Sequence, residues 1–242
     1  MENRLMDLIK NSNRIVFFGG AGVSTASGIP DFRSENGAFE AIKKYGFDPE
    51  TLLSHSFFMR YPDLFYDYYR NSLAKTGFLP NYAHYAIAEL EKMGKLSAVI
   101  TQNIDALHQM AGSTKVYELH GSIYRNYCLR CGKSYGIDKI HAAQPIPTCT
   151  CGGVIRPDVV LYEELLDNSV VEGAIYEIMN ADMLIIGGTS LVVYPAASLI
   201  EYYRGSKLVL INKSTTPYDQ RADIVINDAI EDVFKRVMQK II

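Results

Sequence analysis

Residues 14–34 read Arg14-Ile-Val-Phe-Phe18 followed by Gly19-Gly-Ala-Gly-Val-Ser-Thr-Ala-Ser-Gly-Ile-Pro-Asp-Phe-Arg-Ser34. The short apolar run predicts a buried strand. Gly19, Gly20 and Gly22 then let backbone amides come close to a ligand. A strand that opens into a glycine-rich turn is where doubly wound sheets hold the diphosphate of a nucleotide. A hydride-transferring dehydrogenase would place a third glycine at position 25, where this chain has Thr25. The loop runs instead into Asp31, Phe32 and Arg33, which offer a carboxylate, an aromatic face and a guanidinium. Taken alone, the stretch leaves two readings open: a nucleotide loop, or an ordinary glycine-rich turn with a solvated Asp31 and Arg33 pair.

Working outward, 242 residues suffice for one large α/β domain, with or without a modest insertion. Apolar content of 48% and charged content of 21% are those of a soluble globular protein. A net charge of −3 gives no electrostatic footprint for nucleic acid or for an anionic membrane surface. Met1 to Ser12 places Leu5, Met6, Leu8 and Ile9 at helical spacing among charges, which predicts an amphipathic helix and not a signal peptide. Met183 to Ile200 carries no charge, but Gly187, Gly188, Thr189, Ser190 and Pro195 divide it into a strand, a polar loop and a helix start, so a membrane span is rejected. The chain reads as soluble and cytoplasmic, with no direct nucleic-acid or membrane partner, and as a monomer.

Downstream of the opening loop, residues 39–73 are dense in aromatics at mostly helical spacing and predict a small helical module. A helix is expected from Tyr82 to Met93 and a buried strand from Leu96 to Thr101. That strand leads directly into Gln102, Asn103, Ile104 and Asp105, so polar side chains gather at a strand's carboxyl end, where α/β folds bind ligands. A strand at 116–119 is followed at once by His120 and Gly121. Further strands are expected at 159–161, 183–186, 208–211 and 224–226, and a helix from Ile230 closes the chain. The segment 123–156 interrupts this alternation and holds every cysteine, as Cys128-x-x-Cys131 and Cys149-x-Cys151. Two such pairs fit a tetrahedral zinc site whose closed thiolate shell is structural and leaves no position for chemistry. Free thiols or a redox pair are the other readings, and the Cys-x-Cys pair is one residue tighter than usual.

Four separated segments can be read together: Gly20-Ala-Gly-Val-Ser24 with Gly28-Ile-Pro-Asp-Phe-Arg-Ser34, Thr101-Gln-Asn-Ile-Asp-Ala-Leu-His108, His120-Gly-Ser122, and Gly188-Thr-Ser-Leu-Val-Val-Tyr-Pro-Ala196. With the intervening cysteine pairs, they resemble the sirtuins, the NAD-dependent protein lysine deacylases, over essentially the whole chain. The resemblance implies an α/β fold in which a Rossmann-like parallel-sheet domain (1–36, 74–120 and 157–242) carries a smaller inserted domain. The insertion comprises a helical module (37–73) and a zinc-binding module (121–156). It implies that NAD is consumed as a co-substrate and that the partner is an acetyl-lysine protein or peptide.

By the same resemblance, Gly20, Ala21, Gly22, Thr25, Asp31, Phe32 and Arg33 belong to the cofactor loop, Gln102 contacts a ribose, and Asn103, Ile104 and Asp105 line the nicotinamide pocket. Gly188, Thr189, Ser190, Asn212 and Asp228 match positions that hold the other ribose and the adenine. His120 matches the catalytic base, with Asn103 and Asp105 beside it in the chemistry. His108 is taken as a structural hydrogen-bonder, and His55, His84 and His141 carry no assignment.

The stretch around Val160, Leu161, Tyr162 and Glu163 matches the segment that pairs with a substrate peptide as a strand. Leu191, Val192 and Val193 are expected on the peptide's other side. Glu163 replaces the glycine common in relatives, which suggests a preference for lysines with basic neighbours. Relatives that remove dicarboxylic acyl groups carry Tyr-x-x-Arg where this chain has Tyr66 and Tyr69. Arg70 lies one residue, about 100° of helix, too far round. Acetyl and other uncharged acyl groups are therefore expected. Two alternatives stay open: a protein mono-ADP-ribosyltransferase, and a module that senses NAD or acyl-lysine without turnover.

Overall fold

The computed structural model describes residues 1–30 and 35–241. Among the described residues the strands are β1 (Ile15–Gly19), β2 (Leu96–Thr101), β3 (Val116–Glu118), β4 (Gly121–Cys128), β5 (Ser134–Tyr135), β6 (Ile155–Val159), β7 (Met183–Gly187), β8 (Leu208–Ile211) and β9 (Ile224–Ile226). The α-helices are α1 (Glu2–Lys10), α2 (Glu35–Tyr45), α3 (Pro49–Leu52), α4 (His55–Arg60), α5 (Pro62–Ser72), α6 (Tyr82–Lys92), α7 (Leu107–Met110), α8 (Ile137–Ala142), α9 (Asn168–Asn180) and α10 (Ile230–Met238). No described helix is long and apolar enough to cross a membrane.

The chain divides into two compact units. The first comprises Met1–Ile29, Leu79–Leu119 and Leu166–Ile242. Its sheet runs β3-β2-β1-β7-β8-β9, with every neighbouring pair parallel. All five residues of β1 and of β7 are buried, as are all four of β8. Such unbroken apolar runs are what a parallel sheet covered on both faces requires. Leu5 and Ile9 of α1, Ile87 and Leu90 of α6, and Val233, Phe234 and Val237 of α10 share one core with Phe17, Val99 and Ile185 of the sheet. Because β2 and β3 leave β1 on one side and β7 to β9 on the other, the order reverses at β1. Ligands of doubly wound sheets bind outside the strand ends at such a reversal. The register sets Gly19 of β1 beside Thr101 of β2 and Gly187 of β7, so three strands end level.

The second unit comprises Pro30–Phe78 and His120–Leu165. It holds the three-stranded sheet β5-β4-β6, antiparallel throughout, together with α2 to α5 and α8. The strand expected at 159–161 lies earlier in the chain, as β6, and joins this sheet instead of the parallel one. Its burial alternates residue by residue, the mark of a strand with one face covered, which an antiparallel sheet accommodates. The aromatic module packs by its rings: Phe65 lies parallel to Tyr69 at 5.7 Å, and Phe58 meets Phe65 edge-on at 4.9 Å. Short α4 is capped by Ser54, whose hydroxyl accepts the Phe57 N–H at 3.1 Å and satisfies an otherwise orphaned donor.

Candidate active site and metal centre

In the first unit the glycine loop after β1 and the loop after β7 are joined backbone to backbone. Gly20 N–H donates to Gly187 O at 3.3 Å, and Gly22 N–H to Gly188 O at 2.8 Å. A Cβ on Gly22 would come within 2.7 Å of the Gly188 Cα, and one on Gly20 within 2.7 Å of the Thr189 Cβ. These two glycines are therefore required by loop packing before any ligand is considered. Ala21 and Thr25 lie in two successive turns of 3₁₀ helix, Ala21–Val23 and Thr25–Ser27, and the Thr25 hydroxyl donates to Gly22 O at 3.0 Å.

At the end of β2, Asn103 donates its side-chain amide to Gly20 O at 3.0 Å and to Ser24 Oγ at 3.1 Å. Ser24 in turn donates to Asp105 Oδ2 at 2.6 Å, and the other Asp105 oxygen accepts the Leu107 N–H at 2.9 Å. Burial raises the Asp105 carboxyl above its ordinary value, against the opposing effect of those two donors. With both amide hydrogens engaged, Asn103 is fixed with its carbonyl oxygen as the remaining acceptor. Gln102 reaches Thr189 Oγ1 at 3.0 Å, and Ile104 is partly buried between these groups in sequence. Ala106 sits at φ 58°, a left-handed conformation that a non-glycine residue adopts only under local constraint. Ser24 was not among the residues singled out from sequence, though it lies in the opening loop and is 1% exposed. Nothing local marks it out, since its burial and its bond to Asp105 come from tertiary placement.

A groove in the same unit is lined by Gly22, Thr25, Gly188, Asn212, Ser214 and Asp228, with Lys213, Ile211 and Ile230. Asp228 accepts its neighbour's Ala229 N–H at 2.7 Å and pairs with Arg236 at 2.6 Å, and these hold its carboxyl below the ordinary value. Asn212 donates to Ser214 O at 2.8 Å. Hydroxyl, amide and carboxylate groups beside aliphatic Ile211 and Ile230 fit an adenosine, whose ribose offers hydroxyl donors and whose base offers a flat apolar face. Ser190 is exposed, Leu191 is buried at φ 56°, Val192 is exposed and Val193 is half-buried. Asp31, Phe32 and Arg33 lie outside the described residues.

His108 corrects the reading taken from sequence. It is buried, and neither ring nitrogen has a hydrogen-bond partner among the described residues. Its neighbours are the ring of His84 at 4.8 Å and that of Phe17 at 5.8 Å.

In the second unit, His120 immediately precedes β4, and its carbonyl accepts the Val160 N–H at 3.1 Å. Gly121, at φ 77°, passes so close to the neighbouring chain that a Cβ there would lie 2.0 Å from Asp158 O. Only glycine brings His120 and the 160–164 segment this near. Leu161 is buried, while Tyr162 is bonded through its backbone to Leu53 O and to the His55 N–H, both at 3.0 Å. Glu163 sits at φ 74°. Tyr66 and Tyr69 are fully buried, and the Tyr66 hydroxyl donates to Ile155 O at 2.6 Å. Arg70 donates to Pro145 O at 2.8 Å and to Gln144 at 3.3 Å, and the Tyr69 hydroxyl has no hydrogen-bond partner among the described residues.

The sulfur atoms of Cys128, Cys131, Cys149 and Cys151 lie within 4.8 Å of one another. Three of the pairs, Cys128 with Cys151, Cys131 with Cys149 and Cys131 with Cys151, are separated by 3.5, 3.7 and 3.5 Å. Four thiolates at ~2.3 Å from a tetrahedral ion stand ~3.8 Å apart, so the set fits zinc, and the tighter Cys-x-Cys pair does not prevent it. All four cysteines are free of disulfides. The four positions would close the shell, so a metal held here would organise the insertion and leave no place for a substrate.

A parallel sheet reversing at β1, a polar relay at its carboxyl edge and a four-cysteine module in metal-ligand geometry define an α/β protein of the nucleotide-binding class with a structural metal site. Its known relatives carry the definition further. Residues 20–195 match the Sir2 family, and the chain belongs to that family, the sirtuins. It is similar to the NAD-dependent protein deacetylase of Clostridium perfringens, 60% identical over 98% of both chains. Among solved structures it is similar to a Sir2 variant with deacetylated p53 peptide and 3′-O-acetyl ADP ribose, with TM-score 0.89 and 39% identity over 98% of this chain and 97% of that one. A complex of Sir2, p53 peptide and NAD gives TM-score 0.88 at 38% identity over 99% and 97%.

Proposed function

We propose that the protein is an NAD-dependent protein lysine deacetylase that yields free lysine, nicotinamide and O-acyl-ADP-ribose. The observation that carries this reading beyond family membership is the relay from Asn103 through Ser24 to Asp105, built at the switch point of the sheet. It fixes an amide carbonyl and a buried carboxylate where a cofactor's reactive end would lie. NAD supplies an electrophilic anomeric carbon on its nicotinamide ribose. Gln102, Asn103, Ile104 and Asp105 hold that end of the molecule, and Gly20, Ala21, Gly22, Thr25, Asp31, Phe32 and Arg33 follow its diphosphate. Gly188, Thr189, Ser190, Asn212 and Asp228 receive the adenosine. His120 takes a proton from a ribose hydroxyl. A neutral imidazole suits that step at physiological pH, and general-base catalysis contributes about a hundred- to ten-thousand-fold.

The substrate is an acetyl-lysine protein or peptide, whose main chain pairs with Val160, Leu161, Tyr162 and Glu163, with Leu191, Val192 and Val193 also contacting it. Tyr66 and Tyr69 shape the acyl preference from the core of the helical module. We place the enzyme in the cytoplasm as a monomer; four free cysteines in ligand geometry suit a reducing compartment. Incubation with NAD and an acetyl-lysine peptide, followed by mass spectrometry, tests the reading. O-acetyl-ADP-ribose is expected, and is expected to vanish in His120→Ala. A mass gain on protein without that product would favour ADP-ribosyl transfer, and NAD left intact would favour sensing.

A further inference from the structure

Glu163 stands in a left-handed backbone conformation, φ 74°, that glycine would adopt freely and glutamate does not. The residue is exposed, and its carboxylate is held at the surface by a neighbouring element. One oxygen, Oε2, accepts the Ser56 N–H at 2.9 Å and also the Ser56 hydroxyl. Ser56 is in the first turn of α4, where backbone donors have no helical partner and anions are favoured by the helix dipole. The two Ser56 bonds hold the Glu163 carboxyl below its ordinary value. The next residue reinforces the attachment: Glu164 lies 2.7 Å from His55 Nδ1, accepts the Leu161 N–H at 2.9 Å and pairs with Arg156. Between these anchors Tyr162 forms a parallel bridge with Ser54.

We propose that Glu163 is a positioning residue for the substrate strand: by capping α4 through Ser56 it tethers residues 160–164 in the register that receives the peptide main chain. The proposal rests on the deacetylase reading given above. It differs from the expectation that Glu163 selects basic neighbours in what the side chain acts on, Ser56 of its own chain and not the peptide, and the kinetics below separate the two roles. In this chain the cap offsets the strain that a non-glycine residue brings to the position, which is why a glutamate is compatible with it.

The test combines steady-state kinetics with amide hydrogen exchange. Acetyl-lysine peptides flanked by basic, neutral or acidic residues are assayed at saturating NAD with the wild type, Glu163→Ala, Ser56→Ala, their double variant, Glu163→Gln and Ser56→Thr. Loss of the whole anchor is expected to raise the peptide KM about fivefold in Glu163→Ala. Ser56→Ala removes the hydroxyl donor and keeps the Ser56 N–H, so its rise should be smaller, and the double variant should not exceed Glu163→Ala. kcat should be unchanged, and the rise should be the same for all three peptide classes. Glu163→Gln keeps an acceptor and Ser56→Thr keeps the hydroxyl, so both should stay near wild type. Exchange at the Tyr162 and His55 amides should be faster in the alanine variants alone. A KM rise in Glu163→Gln confined to basic-flanked peptides, with Ser56→Ala silent, would overturn the proposal in favour of charge selection. Unaltered exchange in both alanine variants would overturn the tether even with turnover intact. Accelerated exchange without any wild-type turnover would instead reject the deacetylase reading and leave the tether standing.

Discussion

Acidification is expected to destabilise the first unit through His84 and His108. Both rings are essentially sealed from solvent, at 0% and 1% exposure, and they face each other edge-on. His84 Nδ1 accepts the Asn81 N–H at 3.2 Å, so its proton resides on Nε2, which has no partner among the described residues. Among the described residues no carboxylate bonds either ring, and a proton on one disfavours a proton on the other. Burial therefore lowers His84 from 6.5 to about 4 and lowers His108 well below its ordinary value. The sign follows from which state binds the proton. Below pH 6.5 the unfolded chain protonates both rings and the native state does not, so stability is lost as pH falls from 6.5 towards 4. At pH 5 the difference for His84 alone is about 2 kcal/mol, at about 1.4 kcal/mol per unit. His108 acts in the same direction. Urea unfolding followed by far-ultraviolet circular dichroism at pH 7 and pH 5 measures it, comparing the wild type with His84→Gln. The cysteine site is common to both proteins, so acid release of metal cancels in the comparison. The wild type should lose about 2 kcal/mol more than the variant. Equal losses in the two proteins would refute the reasoning.

Removing the hydroxyl of Ser24 by Ser24→Ala breaks the contacts to Asp105 and Asn103, and should lower kcat/KM for NAD about ten- to a hundredfold with the fold intact by circular dichroism; an unchanged value would show the relay to be idle. Gly121→Ala forces a Cβ to 2.0 Å from Asp158 O at a positive φ, and should cost about 2–4 kcal/mol of stability by denaturant titration, whereas a cost below about 0.5 kcal/mol would contradict the close approach. Elemental analysis should find one zinc per chain, and a strong chelator should lower the melting temperature, while Cys149→Ser should abolish both the metal and the chelator effect; a metal-free wild type of normal stability would reject the site. Because Arg70 is bonded to Pro145 O and Gln144, succinyl-lysine peptide should turn over at least about tenfold more slowly than acetyl-lysine peptide, roughly what one missing charge-assisted contact is worth; comparable rates would overturn that assignment.

Much of the fold was legible because its strands are short apolar runs closed by glycine or polar residues. Ile15–Gly19, Leu96–Thr101 and Leu208–Ile211 stand where periodicity and turn residues put them. The strand at 155–159 was misplaced because Arg156, Pro157 and Asp158 disguise it: only alternate residues are buried, and Pro157 argues locally against a strand. The cysteine module was legible from spacing, since metal geometry constrains sequence directly. His108 was misread because nothing in Leu107-His108-Gln109 announces that its ring meets another histidine from a helix that begins 26 residues earlier. Ser24 and Glu163 were opaque for a related reason. Ser24 acts on Asp105, 81 residues away, and Glu163 acts on Ser56, 107 residues away. Such pairings depend on tertiary placement, which neither propensity nor local pattern records.

The glycine loop shows how backbone and side chains divide the work of building this site. A phosphate cradle explains glycines by their openness to ligand, yet Gly20 and Gly22 give their N–H groups to the loop after β7. Their smallness serves the junction of β1 and β7, which the sheet register had already brought level at Gly19 and Gly187. Asn103 then fastens the end of β2 to the same loop through Gly20 O. Three strand ends are thus tied together by main-chain groups and one amide, and the reactive side chains inherit their positions from that junction. Asn81 extends the tie to α6, donating to Val23 O at 2.7 Å and to Ser27 Oγ at 3.0 Å while its own N–H is held by His84. The buried histidine pair therefore sits behind the glycine loop, one hydrogen-bonded residue removed from it. A proton forced onto His84 Nδ1 competes with its role as acceptor from Asn81, so acid acts on the support of this loop as well as on the core.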